Sequence, residues 1–192
     1  MILPINKQTV FISGAGRGLG SEIAKSFFRE GANVVINYRK SKESAMKLSD
    51  SFGEKGILMQ GDIRNKSEVI DMNEKLESKG IKITTIVHNA INDFIFNGDK
   101  RKKIDEIDWE DFQNQIDTSQ KGFLNLLTTF TPNMKLNSFG RIINIGTNLF
   151  QNPVVPYHDY TASKGGLLSL TRTAAIDLGK FNININMVSG GL

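Results

Sequence analysis

Six short runs rich in Val, Ile and Thr recur along the chain, separated by longer segments of helical character. This alternation limits the fold more than any other feature. The runs are "TVFIS" (9–13), "NVVIN" (33–37), "GILMQ" (56–60), "ITTIVH" (83–88), "RIINIG" (141–146) and "INMVS" (185–189). Their length and composition suit buried strands. Helices are expected near 19–30, 42–52, 66–79, 109–131 and 157–180. Strand, helix, strand in repetition requires right-handed crossovers, and so an α/β fold: a doubly wound parallel sheet with helices on both faces. No repeat, low-complexity tract or linker divides the chain, so residues 1–192 read as one domain, a length sufficient for a full core.

Composition narrows the partners. Lys and Arg total 24 against 20 Asp and Glu, a net charge of +4. That excess attracts anionic ligands without marking a nucleic-acid binder, and "KRKK" (100–103) reads as part of a solvated loop. There is no cysteine, and the two histidines, His88 and His158, have no ligand spacing, so no metal site is expected and both histidines read as structural. "MILPINKQTV" lacks a signal-peptide core and no apolar run reaches membrane-spanning length. A cytoplasmic protein without a membrane partner is the expectation.

"SGAGRGLG" (13–20) follows the first strand and opens the first helix. Backbone N–H groups at a helix start, with the helix dipole behind them, make an anion site, and glycines let a phosphate approach. The spacing of Gly14, Gly16, Gly18 and Gly20 differs from the usual G-x-G-x-x-G of dinucleotide sites. The second strand ends in "INYRK" (36–40), which offers Asn37, Tyr38 and Arg39 but no acid for ribose hydroxyls. With Arg17 in the glycine turn, two guanidiniums suit a 2′-phosphate, so NADPH is expected over NADH. Further on, "YTASK" (160–164) places Tyr160 one helical turn before Lys164. A nearby cation lowers a phenol's pKa from about 10, which would suit a proton donor to a developing alkoxide.

In order along the chain, "SGAGRGLG", "GDI" (61–63), "HNAI" (88–91), "GRIINIGT" (140–147), "YTASKGGLLSLTR" (160–172) and "INMVSGGL" (185–192) resemble the short-chain dehydrogenase/reductase family, nearest to its 3-oxoacyl-carrier-protein reductase branch. The resemblance implies a Rossmann-type fold and hydride transfer from NADPH to a small-molecule carbonyl substrate, with 3-oxoacyl thioesters leading. It implies Tyr160 as general acid, Lys164 lowering its pKa and holding the nicotinamide ribose, and Thr147 donating to the reacting oxygen. Cofactor contacts would come from Ser13, Gly14, Arg17, Gly18, Leu19 and Gly20, from Tyr38 and Arg39, from Asp62 and Ile63 at the adenine, from Asn89 and Ala90, and from Tyr160 and Lys164. A homodimer or homotetramer through helices 109–131 and 157–180 is implied as well.

Three departures stand out. Ser119 in "DTSQKG" (117–122) replaces the asparagine that helps seat a relay water, so it is the fourth catalytic position in altered form. Ile91 replaces a glycine near the cofactor ribose, and Gly190 stands where the family has proline. Full-length relatives continue with a substrate lid, a helix and a seventh strand. The chain's C-terminal strand and lid are therefore expected to be missing, through truncation, and its activity weak or absent. A dinucleotide-binding protein without catalysis is the alternative.

Overall fold

The computed structural model describes residues 3–190. Six strands form one sheet: β1 (Thr9–Ser13), β2 (Asn33–Tyr38), β3 (Gly56–Gln60), β4 (Thr85–His88), β5 (Gly140–Thr147) and β6 (Ile183–Gly190). All neighbours pair in parallel, in the order β3-β2-β1-β4-β5-β6. The helices are α1 (Gly18–Arg29), α2 (Lys42–Ser51), α3 (Lys66–Glu77), α4 (Trp109–Ile116), α5 (Gly122–Leu136) and α6 (His158–Gly179).

The two-residue period of β1 sorts the core. Phe11 points to one face, where it joins Val69, Met72 and Leu76 of α3 and Phe123, Leu126 and Phe130 of α5. Val10 and Ile12 point to the other, against Ala24 of α1 and Ala45 and Leu48 of α2. The doubly wound expectation therefore holds. Sheet order runs outward from β1 in one direction and from β4 in the other, so the crossovers part at the C-terminal ends of β1 and β4. A crevice opens at such a switch point.

Two expectations need correction. The helix expected over 109–131 is α4, a wide π-type turn at Asp117–Lys121, and α5. The turn inserts an extra residue into the hydrogen-bond ladder, which no hydrophobic period reveals. α5 also runs past Pro132 to Leu136, because Met134 is buried in the core and holds the last turn in place. The fourth strand starts at Thr85, two residues later than expected. Gly191 and Leu192, the end of the last family-like motif, lie outside the described residues.

Candidate active site at the sheet's switch point

The glycine turn sits where β1 gives way to α1. Gly14 has a φ of +67°, open to glycine at no steric cost. Gly20 is packed so closely that a Cβ would collide with the Gly14 carbonyl and approach the Asn89 amide to 2.6 Å. The turn is thus folded tightly beneath the start of α1, leaving Arg17, Gly18 and Leu19 at the cleft wall.

A polar network ties this turn to β4. Nε2 of His88 lies 3.0 Å from the Ser119 carbonyl, which can only accept, so Nε2 carries the proton. Nδ1, 3.3 Å from the Ser13 hydroxyl, is then the acceptor. Ser13 Oγ in turn accepts from the backbone N–H groups of Asn89 (3.0 Å) and Ala90 (3.1 Å). Asn89 donates its side-chain amide back to the carbonyls of Ser13 (3.1 Å) and Gly14 (3.2 Å). Full burial, reinforced by the Lys164 charge, holds His88 at a pKa of about 3, so it stays neutral and keeps this tautomer. His88 is structural, as the sequence suggested, but its particular task was missed: it joins the glycine turn to the π-type turn. The only sequence signal was its place at the end of an apolar strand.

At the other end of the cleft stand Thr147, at the close of β5, and Tyr160 and Lys164 on α6. Burial pushes the Tyr160 phenol's pKa above its ordinary value, and the nearby Thr147 hydroxyl offsets only part of this. The expected lowering by Lys164 is therefore not found. The ammonium lies 5.8 Å from the Tyr160 ring centroid, over the ring, and donates at 2.6 Å to the Ile145 carbonyl. Burial lowers its own pKa to about 8. One helical turn brings the two side chains together, but Lys164's proton donation is directed at β5.

Ser119 departs further from expectation. Its hydroxyl donates to the Gln115 carbonyl at 2.8 Å and lies 3.4 Å from that of Ser163, and the side chain is buried away from the cleft. Thr118, its neighbour in the π-type turn, lines the cleft instead.

The end of the cleft beside β2 and β3 is built from charge. Asp62 accepts from Arg64 at both oxygens, with the Nη2 contact at 2.6 Å. Burial raises the Asp62 pKa and these Arg64 bonds more than reverse it, so the group is a carboxylate. Ile63 packs under Gly122, and its carbonyl accepts from Asn125 at 2.9 Å. Arg39, expected to stand free for a phosphate, is already engaged by Asn92 and Asp93. Tyr38, Ala90 and the half-exposed Ile91 complete this wall.

One cleft of about 650 Å³ runs from Arg39 and Asp62 at one end to Lys164 and Tyr160 at the other. A second, mostly apolar hollow of about 530 Å³ shares Leu19, Phe96, Ile145 and Tyr160 with it and is walled as well by Phe27, Ile143, Thr147 and Leu149. Between them a strap (92–101) crosses the site. Phe94 and Phe96 pack on Tyr160 with ring centroids 4.9 and 5.5 Å away. Arg101 stacks on Phe94 at 4.3 Å and forms a 2.6 Å ion pair with the buried Asp159. The "KRKK" run is thus used internally: Lys102 pairs with Asp111 at 2.6 Å, and Lys103 donates to the Asp99 carbonyl.

A family model described as short chain dehydrogenase matches residues 8–192. The chain belongs to the short-chain dehydrogenase family. It is 30% identical over 187 residues to the 3-oxoacyl-[acyl-carrier-protein] reductase of Staphylococcus epidermidis, covering 96% of this chain and 74% of that protein. The 3-ketoacyl-(acyl-carrier-protein) reductase of Brucella melitensis, solved with NADH, superposes with a TM-score of 0.88 at 26% identity, over 97% of this chain and 76% of that one. Serine dehydrogenase of Escherichia coli superposes with a TM-score of 0.86 at 26% identity, over 96% of this chain and 83% of that one. Members of this family are oxidoreductases, and no helix among the described residues is long and apolar enough to cross a membrane.

Proposed function

We propose that the protein is a nicotinamide-dinucleotide-dependent reductase that converts a ketone to an alcohol, with NADPH favoured over NADH and Tyr160 as the general acid. The observation that carries this reading is the meeting of the two hollows at Tyr160, with Thr147 on the wall of the second. The residues of the longer cleft fit a dinucleotide. Gly20 packs directly on Gly14 and Asn89 and so keeps the glycine turn close under the start of α1, Arg17 and Arg39 supply cations, and the Lys164 end suits a ribose. When bound, the nicotinamide supplies the hydride.

The chain's own residues supply the rest. A carbonyl oxygen seated beside Thr147 and Tyr160 lies within reach of two hydroxyl groups. As negative charge develops on that oxygen, Tyr160 gives up its phenolic proton and Thr147 holds the oxygen by a hydrogen bond. The phenol, its pKa raised by burial, holds its proton at neutral pH until the carbonyl oxygen gathers charge. Lys164 stands with its ammonium 5.8 Å from the ring centroid, donating to the Ile145 carbonyl. The aliphatic and aromatic walls of the second hollow suit an apolar carbonyl compound such as a 3-oxoacyl thioester, matching the named activity of the staphylococcal relative. Self-association through α4, α5 and α6 belongs to the same reading: Leu124 and Ile176 are exposed, and Gly165 faces open space.

The test is NADPH consumption with a series of 3-oxoacyl thioesters, run beside Tyr160→Phe. The expected result is turnover in the unaltered protein and a loss of about 100-fold or more in the variant. Equal rates in both would remove Tyr160 from the reaction. NADPH binding without turnover on any ketone would favour the non-catalytic reading, for which the diverted Ser119 hydroxyl speaks.

A further inference from the structure

Asp93 lies on the strap after β4 and faces the end of β2 across the cleft. Its Oδ2 accepts from Arg39 Nη2 at 3.2 Å and from Lys40 Nζ at 3.0 Å. The charge of Arg17 acts on it as well, and the Lys40 hydrogen bond leads the effects that hold its carboxyl below the ordinary range. Arg39 and Lys40 thus converge on one carboxylate, and Arg17 lines the same cavity. The other acid nearby, Asp62, is gripped by Arg64 through both oxygens and comes no nearer to Arg39 than 3.8 Å. β2 itself ends in Asn37, Tyr38 and Arg39, so it brings no acid to this place.

A carboxylate sitting on Arg39 and Lys40 is chemically a stand-in for a phosphate. It is also the free acceptor that a ribose hydroxyl needs. We propose that Asp93 is a specificity-determining residue for the 2′ position of the adenosine ribose. It competes with a 2′-phosphate for Arg39 and Lys40, and it accepts a hydrogen bond from a 2′-hydroxyl. A phosphate entering here must displace Asp93 or lie beside it, anion against anion, whereas a hydroxyl meets a ready acceptor. The chain's preference for NADPH is therefore held below what Arg39 and Lys40 would otherwise give. The proposal rests on the dinucleotide reading above.

Asp93→Asn keeps the size and removes the charge. The residue is well exposed, so the change is compatible with folding. An exposed charge pair contributes about 1 kcal/mol at most, equivalent to roughly fivefold in affinity. The experiment is a binding titration of NADPH, NADH and adenosine 2′,5′-bisphosphate on the full chain and on the variant, at low and high salt, with Asp93→Ala beside them. The expected result is that both variants bind NADPH and the bisphosphate up to about fivefold more tightly. NADH binding should stay the same or weaken, and the change should shrink in high salt. Saturable binding of both cofactors with an unchanged or reversed NADPH-to-NADH ratio would overturn the proposal while leaving the dinucleotide site standing. Binding of neither cofactor by any form would overturn both.

Discussion

Three side chains show what a sequence conveys at the scale of a single residue. Tyr160 and Lys164 are legible because their relation is local: four residues on a helix share a face whatever the rest of the fold does. The sign of the Tyr160 shift is not legible, since it depends on Phe94, Phe96 and Tyr157 closing over the ring from elsewhere in the chain. His88 was readable only as buried, because its partners Ser13 and Ser119 lie 75 and 31 residues away. That burial carries a prediction. An unfolded histidine takes up a proton below about 6.5, whereas His88 in the folded protein resists protonation down to about 3. Between these values the unfolded chain holds the extra proton, so stability falls as the pH falls through that window. His88→Asn removes the titrating group. Urea denaturation across that range should show a shallower loss of stability with acidification in the variant, with a difference on the order of a few kcal/mol by the acid end. Parallel curves for the two proteins would place the acid sensitivity elsewhere.

Among elements, the strands were the most legible, because buried parallel strands are short, β-branched and bounded by turns. The long α4–α5 segment was read in outline only. Its apolar pattern marks a helix, yet the π-type turn at Asp117–Lys121 comes from how Ser119 and Gln120 meet Ser163 on α6. Glycines in helices divide in the same way. Gly165 and Gly166 are neighbours in α6, but a Cβ on Gly166 would strike the Gln120 side chain of the same chain, whereas one on Gly165 meets open space. In α1, a Cβ on Gly20 would strike backbone. Gly165→Ala in the isolated chain should therefore raise stability by up to about 1 kcal/mol through helix propensity. Gly20→Ala should lower it by about 1–3 kcal/mol through overpacking, and weaken NADPH binding by disturbing the turn. Thermal melts of the two variants measure this directly. A Gly20→Ala protein as stable as the parent would mean that the glycine turn has slack.

Over the whole molecule, the alternating pattern of strands and helices and the glycine turn after β1 were sufficient to place a doubly wound sheet with an anion site after its first strand; the crevice between β1 and β4 follows from the strand order. The charge on that crevice was only half visible. Arg17 and Arg39 could be read from the sequence, but Asp93, 54 residues beyond Arg39, could be seen to oppose it only once the sheet brought the ends of β2 and β4 together. The same assembly absorbs the "KRKK" run, whose Arg101 and Lys102 become ion pairs with Asp159 and Asp111. The central claim is that this crevice holds a nicotinamide dinucleotide whose reactive end lies at Tyr160. A fluorescence titration of the chain and of Tyr160→Phe with NADPH and NADH, followed by addition of a 3-oxoacyl thioester, tests it most directly. The account predicts saturable binding in both proteins and consumption of NADPH only where the phenol is present; absence of saturable binding by either cofactor would contradict it.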